Sequence, residues 1–198
     1  FDHRLCKAFS DMGYDCLIYS FSLQYPGFLF PGKSQYTDDP APQGIRILTL
    51  INSINPLNWI KIGRRLRAEA PSLIIVRFWI PLMGPALGTL IRLAKRKEGC
   101  RVVAITDNVI PHEKRPGDRL FTRYFLSGCD AYVCMSDQVQ RDLRKFEPYK
   151  PVKKVWHPLY DNFGAAVEKN AARAHLHLPE GEKIVLFFGF IRAYKGLD

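Results

Sequence analysis

The stretch with the most chemistry in it is KIVLFFGFIRAYKGLD, residues 183–198. An unbroken apolar run, residues 184–188, is followed by Gly189, then by Arg192 and Lys195, then by Gly196. Such a run suits a strand buried on both faces of a parallel sheet. Residues 196–198 read as the opening of a helix. A strand, a glycine turn, two cations and a helix N-terminus together make an anion site. Backbone N–H groups and the helix dipole point at one place, and the cations add charge. The anion such a corner takes is a phosphate or a diphosphate. The plainer reading is a βα turn with two solvated basic residues, and residue types alone leave both open.

Polar residues also follow the other apolar runs. Asp107, Asn108, His112 and Glu113 come after residues 101–106, Ser136 after residues 131–135, and His157 after residues 152–156. Ligands of open parallel sheets bind outside the carboxyl ends of the strands, so these positions carry the most weight. His112 beside Glu113 suits acid/base work or contacts to sugar hydroxyls; a purely structural loop pair is the other reading. Ser136 is placed to cap a helix, and a free helix N-terminus also binds anions. His157-Pro158 suits a cleft residue or the start of a linker. The sequence has no Ser/His/Asp order, no HExxH zinc pattern and no nucleotide P-loop.

The elements that must position these residues follow from periodicity. Phe1, Leu5, Ala8, Phe9 and Met12 share one helical face, which Gly13 ends. Residues 14–20 read as a strand. A βαβ series places a strand before such a helix, so the chain is expected to be a piece of a longer protein. Residues 21–44 form a long loop with four prolines and three glycines. Its aromatics either hold a substrate or pack the loop onto the domain. Residues 45–51 are the next strand. Asn55 caps a helix with Pro56 in its first turn. Trp59, Ile62 and Leu66 form its apolar side, and Lys61, Arg64, Arg65 and Arg67 its basic one. That basic face is either ordinarily solvated or fitted to anionic lipid headgroups.

Residues 72–77 are a strand, and Phe78 to Pro81 turn the chain. Met83, Leu87, Leu90, Ile91 and Ala94 then form a helical stripe closed by Lys95, Arg96, Lys97 and Gly99. A strand at 101–106 and a polar loop at 107–117 lead to Asp118. That residue is expected to cap a helix with Leu120, Phe121, Tyr124 and Phe125 on its core side. A strand at 131–135, a helix bearing Val139, Leu143 and Phe146, and a short strand at 152–156 complete the series. The alternation predicts an α/β fold with a Rossmann-like, doubly wound parallel sheet over residues 1–156. Residues 157–182 read as a linker, helical in part of 165–176. Residues 183–198 read as the first strand and turn of a second Rossmann-like domain.

Composition agrees with a folded, anion-binding protein. Of the 198 residues 47% are hydrophobic, which supports a real core. The net charge of +10 suggests a nucleotide, a nucleic acid or an anionic membrane surface as partner. A nucleic acid ranks last, because aromatic and basic residues do not interleave along a strand. Cys6, Cys16, Cys100, Cys129 and Cys134 are odd in number and lack CxxC spacing, which fits buried thiols in a reducing compartment better than disulfides or zinc. No apolar run reaches the roughly 18 residues of a membrane-spanning helix.

Four segments together resemble the family-4 glycosyltransferases of the GT-B fold. They are DNVIPHE at 107–113, SDQVQRDL at 136–143, HPLYDNFG at 157–164 and LFFGFIRAYKGLD at 186–198. The resemblance implies two Rossmann-like domains facing across a cleft, the second holding a UDP- or GDP-sugar donor. It further implies sugar transfer to a glycan or lipid-linked acceptor with retention of configuration. No metal or other cofactor is expected, and the expected place is the cytoplasm, at the inner face of a membrane. Arg192 and Lys195 match the basic pair that neutralises the departing diphosphate, with Gly189 and Gly196 shaping the turn. Asp107, His112 and Glu113 are the expected catalytic residues, and Asn108, Ser136 and His157 line the cleft. In many members the arginine adjoins the glycine, where this chain has Phe190, and a histidine stands in place of Asp107. The chain by itself is expected not to turn over substrate. A non-catalytic module that binds nucleotide or an anionic membrane surface is the alternative.

Overall fold

The computed structural model describes residues 1–27, 30, 34–36, 42–95, 99–111, 113–161, 163–189, 191 and 196. They fall into two units, Phe1–Trp156 and His157–Asp198.

In the first unit α1 (Asp2–Asp11) leads to β1 (Leu17–Leu23), and a long loop to β2 (Arg46–Asn52). Then come α2 (Pro56–Glu69), β3 (Leu73–Phe78), a 3-10 turn at Pro81–Met83 and α3 (Gly84–Ala94). They are followed by β4 (Arg101–Thr106), α4 (Asp118–Ser127), β5 (Ala131–Cys134), α5 (Asp137–Arg144) and β6 (Val152–Lys154). Among the described residues every strand pair is parallel, in two ladders, β1-β2 and β3-β4-β5-β6. The expected Rossmann-like α/β class holds. The register sets Phe78 beside Thr106, Thr106 beside Cys134 and Cys134 beside Lys154. The residues that follow these four therefore share one sheet edge.

The strand of the notional 14–20 region starts later and runs further. Tyr14 and Asp15 are exposed, and the apolar positions Leu17, Tyr19, Phe21 and Leu23 carry β1 to the turn before Pro26. Near the carboxyl end of β1 the Phe21 ring packs edge-on against Trp79, the residue after β3, centroids 6.0 Å apart.

The core lies between the four-stranded ladder and α3, α4 and α5. Phe78 and Phe125 are fully buried and stacked, with centroids 4.4 Å apart. Around them pack Met83, Leu87, Leu90, Ile91, Val102, Ala104, Leu126, Tyr132 and Leu143. Gly84 lets α3 approach α4: a Cβ there would lie 2.4 Å from the Phe121 carbonyl oxygen. Helix ends follow the capping signals. The Asn55 side chain accepts from Leu57 N at 3.0 Å and Asn58 N at 3.2 Å, with Pro56 in the first turn.

α4 departs from expectation. Its N-cap is Gly117, at φ +92°, and Asp118 is the first helical residue, its carboxylate accepting from Arg115 N at 2.7 Å. The buried residues are Thr122, Phe125 and Leu126, whereas Leu120 and Tyr124 are exposed. Tyr124 sits at the exposed margin of the α3–α4 contact, its hydroxyl 3.0 Å from Thr89 Oγ1 and the Arg92 guanidinium 4.1 Å over its ring.

Asp130 ties three elements together. Its carboxylate accepts from Lys95 Nζ at 2.5 Å and from Val102 N at 2.8 Å, joining the end of α3 to the start of β4 ahead of β5. Burial pushes this carboxyl up, but the Lys95 ammonium and the Val102 N–H outweigh it and hold it below the ordinary carboxylate range. A depressed folded value contributes stability above the unfolded value, near 3.9, that is lost as pH falls through the folded one. Asp130→Asn is therefore expected to cost about 1–3 kcal/mol at pH 7. The penalty shrinks as pH falls below about 4, where the wild type loses its charge too. Urea melts of both proteins between pH 7 and pH 3 check this.

In the second unit α6 (Lys169–His175) is capped by Glu168, whose carboxylate accepts from Asn170 N at 2.7 Å and Ala171 N at 2.9 Å. The expected strand at 184–188 is not formed: those residues have no regular structure and their side chains are exposed. A parallel strand completes its hydrogen bonds only on a neighbouring strand. Among the described residues of this unit there is none.

Candidate active site

The carboxyl edge of β3-β4-β5-β6 carries the candidate site. Asp107 follows β4 directly, its N–H bonded to the Phe78 carbonyl at 2.9 Å. Its carboxylate pairs with the guanidinium of Arg77, from the adjacent β3. Arg77 also reaches Asp2 Oδ1 at 3.4 Å and lies 4.8 Å over the Phe1 ring. Burial alone would lower the Arg77 value, but Asp107 and Asp2 hold it above its ordinary range. The Asp107 side chain is thus held from one side by a guanidinium. Sequence reasoning passed over Arg77. Its signal was a charged residue inside the apolar run LIIVRF, which a strand keeps only with a partner.

Asn108 is exposed beside Asp107. His112 lies outside the described residues. Glu113 is exposed on the rim of a cavity of about 200 Å³. Ile80, Pro81, Leu82 and Phe121 give this cavity an apolar floor, and Arg115 and Asp118 share its polar rim with Glu113. An apolar floor with a few polar groups at the mouth can seat the flat face of a small organic molecule and fix it by hydrogen bonds.

Ser136 is the N-cap of α5, with its Oγ accepting from Val139 N at 3.2 Å. It stands two residues past β5, on the same sheet edge as Asp107. The long loop is bound to this edge by its own aromatics. Trp79 Nε1 donates to the Tyr25 hydroxyl at 2.6 Å. The Gln35 side chain accepts from Tyr25 N and donates to Tyr25 O, each at 2.7 Å. Of the two readings of the loop aromatics, packing accounts for Tyr25 and for Phe30, which stacks on it at 6.0 Å.

The remaining candidates belong to the second unit. His157 Nδ1 lies 2.9 Å from the Pro158 carbonyl, with its ring 5.4 Å from Tyr160. Gly189 and Gly196 both have positive φ, +129° and +61°. Arg192 and Lys195 lie outside the described residues. A hollow of about 550 Å³ beside α6 is lined by Lys169, Arg173 and Lys183 among others. Arg173 is engaged by the carbonyls of Pro179 and of Glu182, the latter at 2.6 Å. Among the described residues no group of His, Cys, Asp or Glu is placed to hold a metal ion.

Parallel strands flanked by helices, with polar groups gathered at the carboxyl edge, define a Rossmann-like α/β domain. The chain belongs to Glycosyltransferase Family 4, whose family model matches residues 3–161. The match bears out the family resemblance read from the sequence. No curated protein matches the chain. Among the described residues no helix is long and apolar enough to cross a membrane.

Proposed function

We propose that this chain carries the acceptor side of an enzyme that transfers a sugar from a UDP- or GDP-sugar to a glycan or lipid-linked acceptor. The observation that carries the reading is a Glycosyltransferase Family 4 domain with Glu113 on the rim of an apolar-floored cavity at the sheet's carboxyl edge. That cavity is smaller than the roughly 300–1,000 Å³ that encloses a drug-sized ligand, so it suits one end of a longer acceptor. Glu113 and His112 are the proposed contacts to the acceptor hydroxyl. Asp107, paired with Arg77, is the third proposed catalytic residue. Gly189, Arg192, Lys195 and Gly196 are the proposed diphosphate corner, with the two cations meeting the leaving group's charge and no metal required. Transfer proceeds with retention in this reading, on the cytoplasmic side of a membrane that holds the acceptor. Without a formed strand at 184–188 the chain by itself is expected not to turn over substrate.

The test is transfer of radiolabelled sugar from UDP- and GDP-donors to lipid-linked and free glycan acceptors by the full-length protein. Glu113→Gln is expected to lower kcat/KM for the acceptor about tenfold or more, the scale of one hydrogen bond to a charged group, with the donor KM unchanged. Donor binding without any transfer would replace this reading with a non-catalytic nucleotide-binding module.

A further inference from the structure

Arg77 is a charged residue in a place suited to apolar ones. It is the penultimate residue of β3, in the run LIIVRF. The register sets it beside Ile105 and sets Phe78 beside Thr106. Side chains alternate along a strand, so Arg77 and Ile105 take one face of the sheet. Phe78 and Thr106 take the other, where both are fully buried. The Asp107 carboxylate, just past β4, turns to the Arg77 side.

The guanidinium is held from two directions. One terminal nitrogen donates to the Asp107 carboxylate. The other lies 3.4 Å from Asp2 Oδ1, in the first turn of α1, and the Phe1 ring lies 4.8 Å from the guanidinium carbon. The Arg77 side chain is only 29% exposed. Its Nε is buried and among the described residues has no hydrogen-bond partner.

Stability is a poor reason to keep such a residue. Burial strips hydration from the guanidinium, and an unpaired buried N–H adds to that cost. Apolar side chains of similar volume often serve a fold as well as a buried ion pair does, or better. What the arginine supplies is direction. The arms of a planar guanidinium keep a fixed angle, so tying one arm to α1 sets where the other points. Among the described residues Arg77 is the one cation paired with Asp107.

We propose that Arg77 is a positioning residue of the candidate site, anchored to α1 through Phe1 and Asp2 and aiming the Asp107 carboxylate at the reacting groups. The inference rests on the reading that Asp107 is catalytic, and it adds the side chain through which the fold sets Asp107 in place. A lysine would not serve, since its ammonium is a point charge without a rigid fork. A misplacement of about 1 Å in a reacting group can cost as much as 100-fold in rate.

The experiment is a double-mutant cycle on sugar transfer by the full-length protein, with Arg77→Lys, Asp107→Asn and the two combined. Arg77→Lys keeps a positive charge against both carboxylates, and a thermal melt checks that it folds. Its kcat is expected to fall about 10–100-fold, with the donor and acceptor KM values within about twofold of wild type. In the Asp107→Asn background the same change is expected to lower kcat by less than about twofold, because no carboxylate is left to aim. Arg77→Gln, which keeps an amide donor, runs as a second arm of the cycle and carries the test where the lysine variant does not fold. Wild-type kcat in both folded Arg77 variants overturns the proposal. An equal loss with and without the Asp107 carboxylate also overturns it, and makes Arg77 a residue of the fold alone. Wild-type kcat in Asp107→Asn removes the catalytic reading of Asp107 and the proposal together, whereas loss in Asp107→Asn without loss in the Arg77 variants removes the proposal alone. Absence of transfer by the wild type removes the transferase reading itself, and the proposal with it.

Discussion

Lys195→Ala in the full-length protein is expected to lower kcat for sugar transfer by about 10²–10³-fold while leaving its melting temperature unchanged. As the sugar–phosphate bond breaks, negative charge grows on the diphosphate. A cation already fixed beside it stabilises that state more than the ground state, and such preorganised charge is often the largest catalytic contribution. Lys195 lies outside the described residues, so the expectation stands on its place after the apolar run and the Gly189 turn. Arg192→Ala tests the second cation in the same way. Single-turnover transfer with saturating donor reads the chemical step directly. Unaltered turnover in the Lys195 variant would favour the binding-module reading, in which basic residues serve adhesion alone.

The second large effect is on stability. Phe78→Ala is expected to cost about 3–5 kcal/mol in urea denaturation, and Phe125→Ala a similar amount. Both rings are fully buried, stacked at 4.4 Å, and join β3 to α4 at the centre of the core. Removing either leaves a cavity walled by Met83, Leu87 and Val102, on elements whose backbones are held by the ladder and by helix packing. Domains hold only about 5–15 kcal/mol in total, so either variant would lose much of its margin. The double variant is expected to cost less than the sum of the two, because contacting residues couple. A strictly additive double variant would mean that the stack contributes only its separate areas.

Local signals proved legible where the physics is local. Asn55 and Ser136 cap the helices they were expected to cap, because the acceptor atom and the orphan N–H groups lie within three residues of one another. Parallel strands flanked by helices followed from alternation of apolar runs with helical stripes. Long-range pairings were not legible. Arg77 and Asp107 are 30 residues apart in sequence, and only the β3-β4 register puts them side by side. The buried face of α4 centres on Thr122, Phe125 and Leu126 instead, and Tyr124 sits at its exposed margin, where hydroxyl and ring serve Thr89 and Arg92 of α3. The run at 184–188 shows the limit of periodicity most plainly. Its composition fits a buried strand, but a strand exists only with a neighbour.

That run has a consequence for how the chain behaves at high concentration. Val185 is 98% exposed and Phe188 93%, with Ile184, Leu186 and Phe187 between and before them. Between Lys183 and Gly189 there is no charge and no proline. A short stretch rich in β-branched and aromatic residues, left in water, is the composition that stacks copy upon copy into cross-β filaments. Lys183 on one flank is the residue type that restrains such stacking, so its charge acts as a gatekeeper for the solubility of the chain.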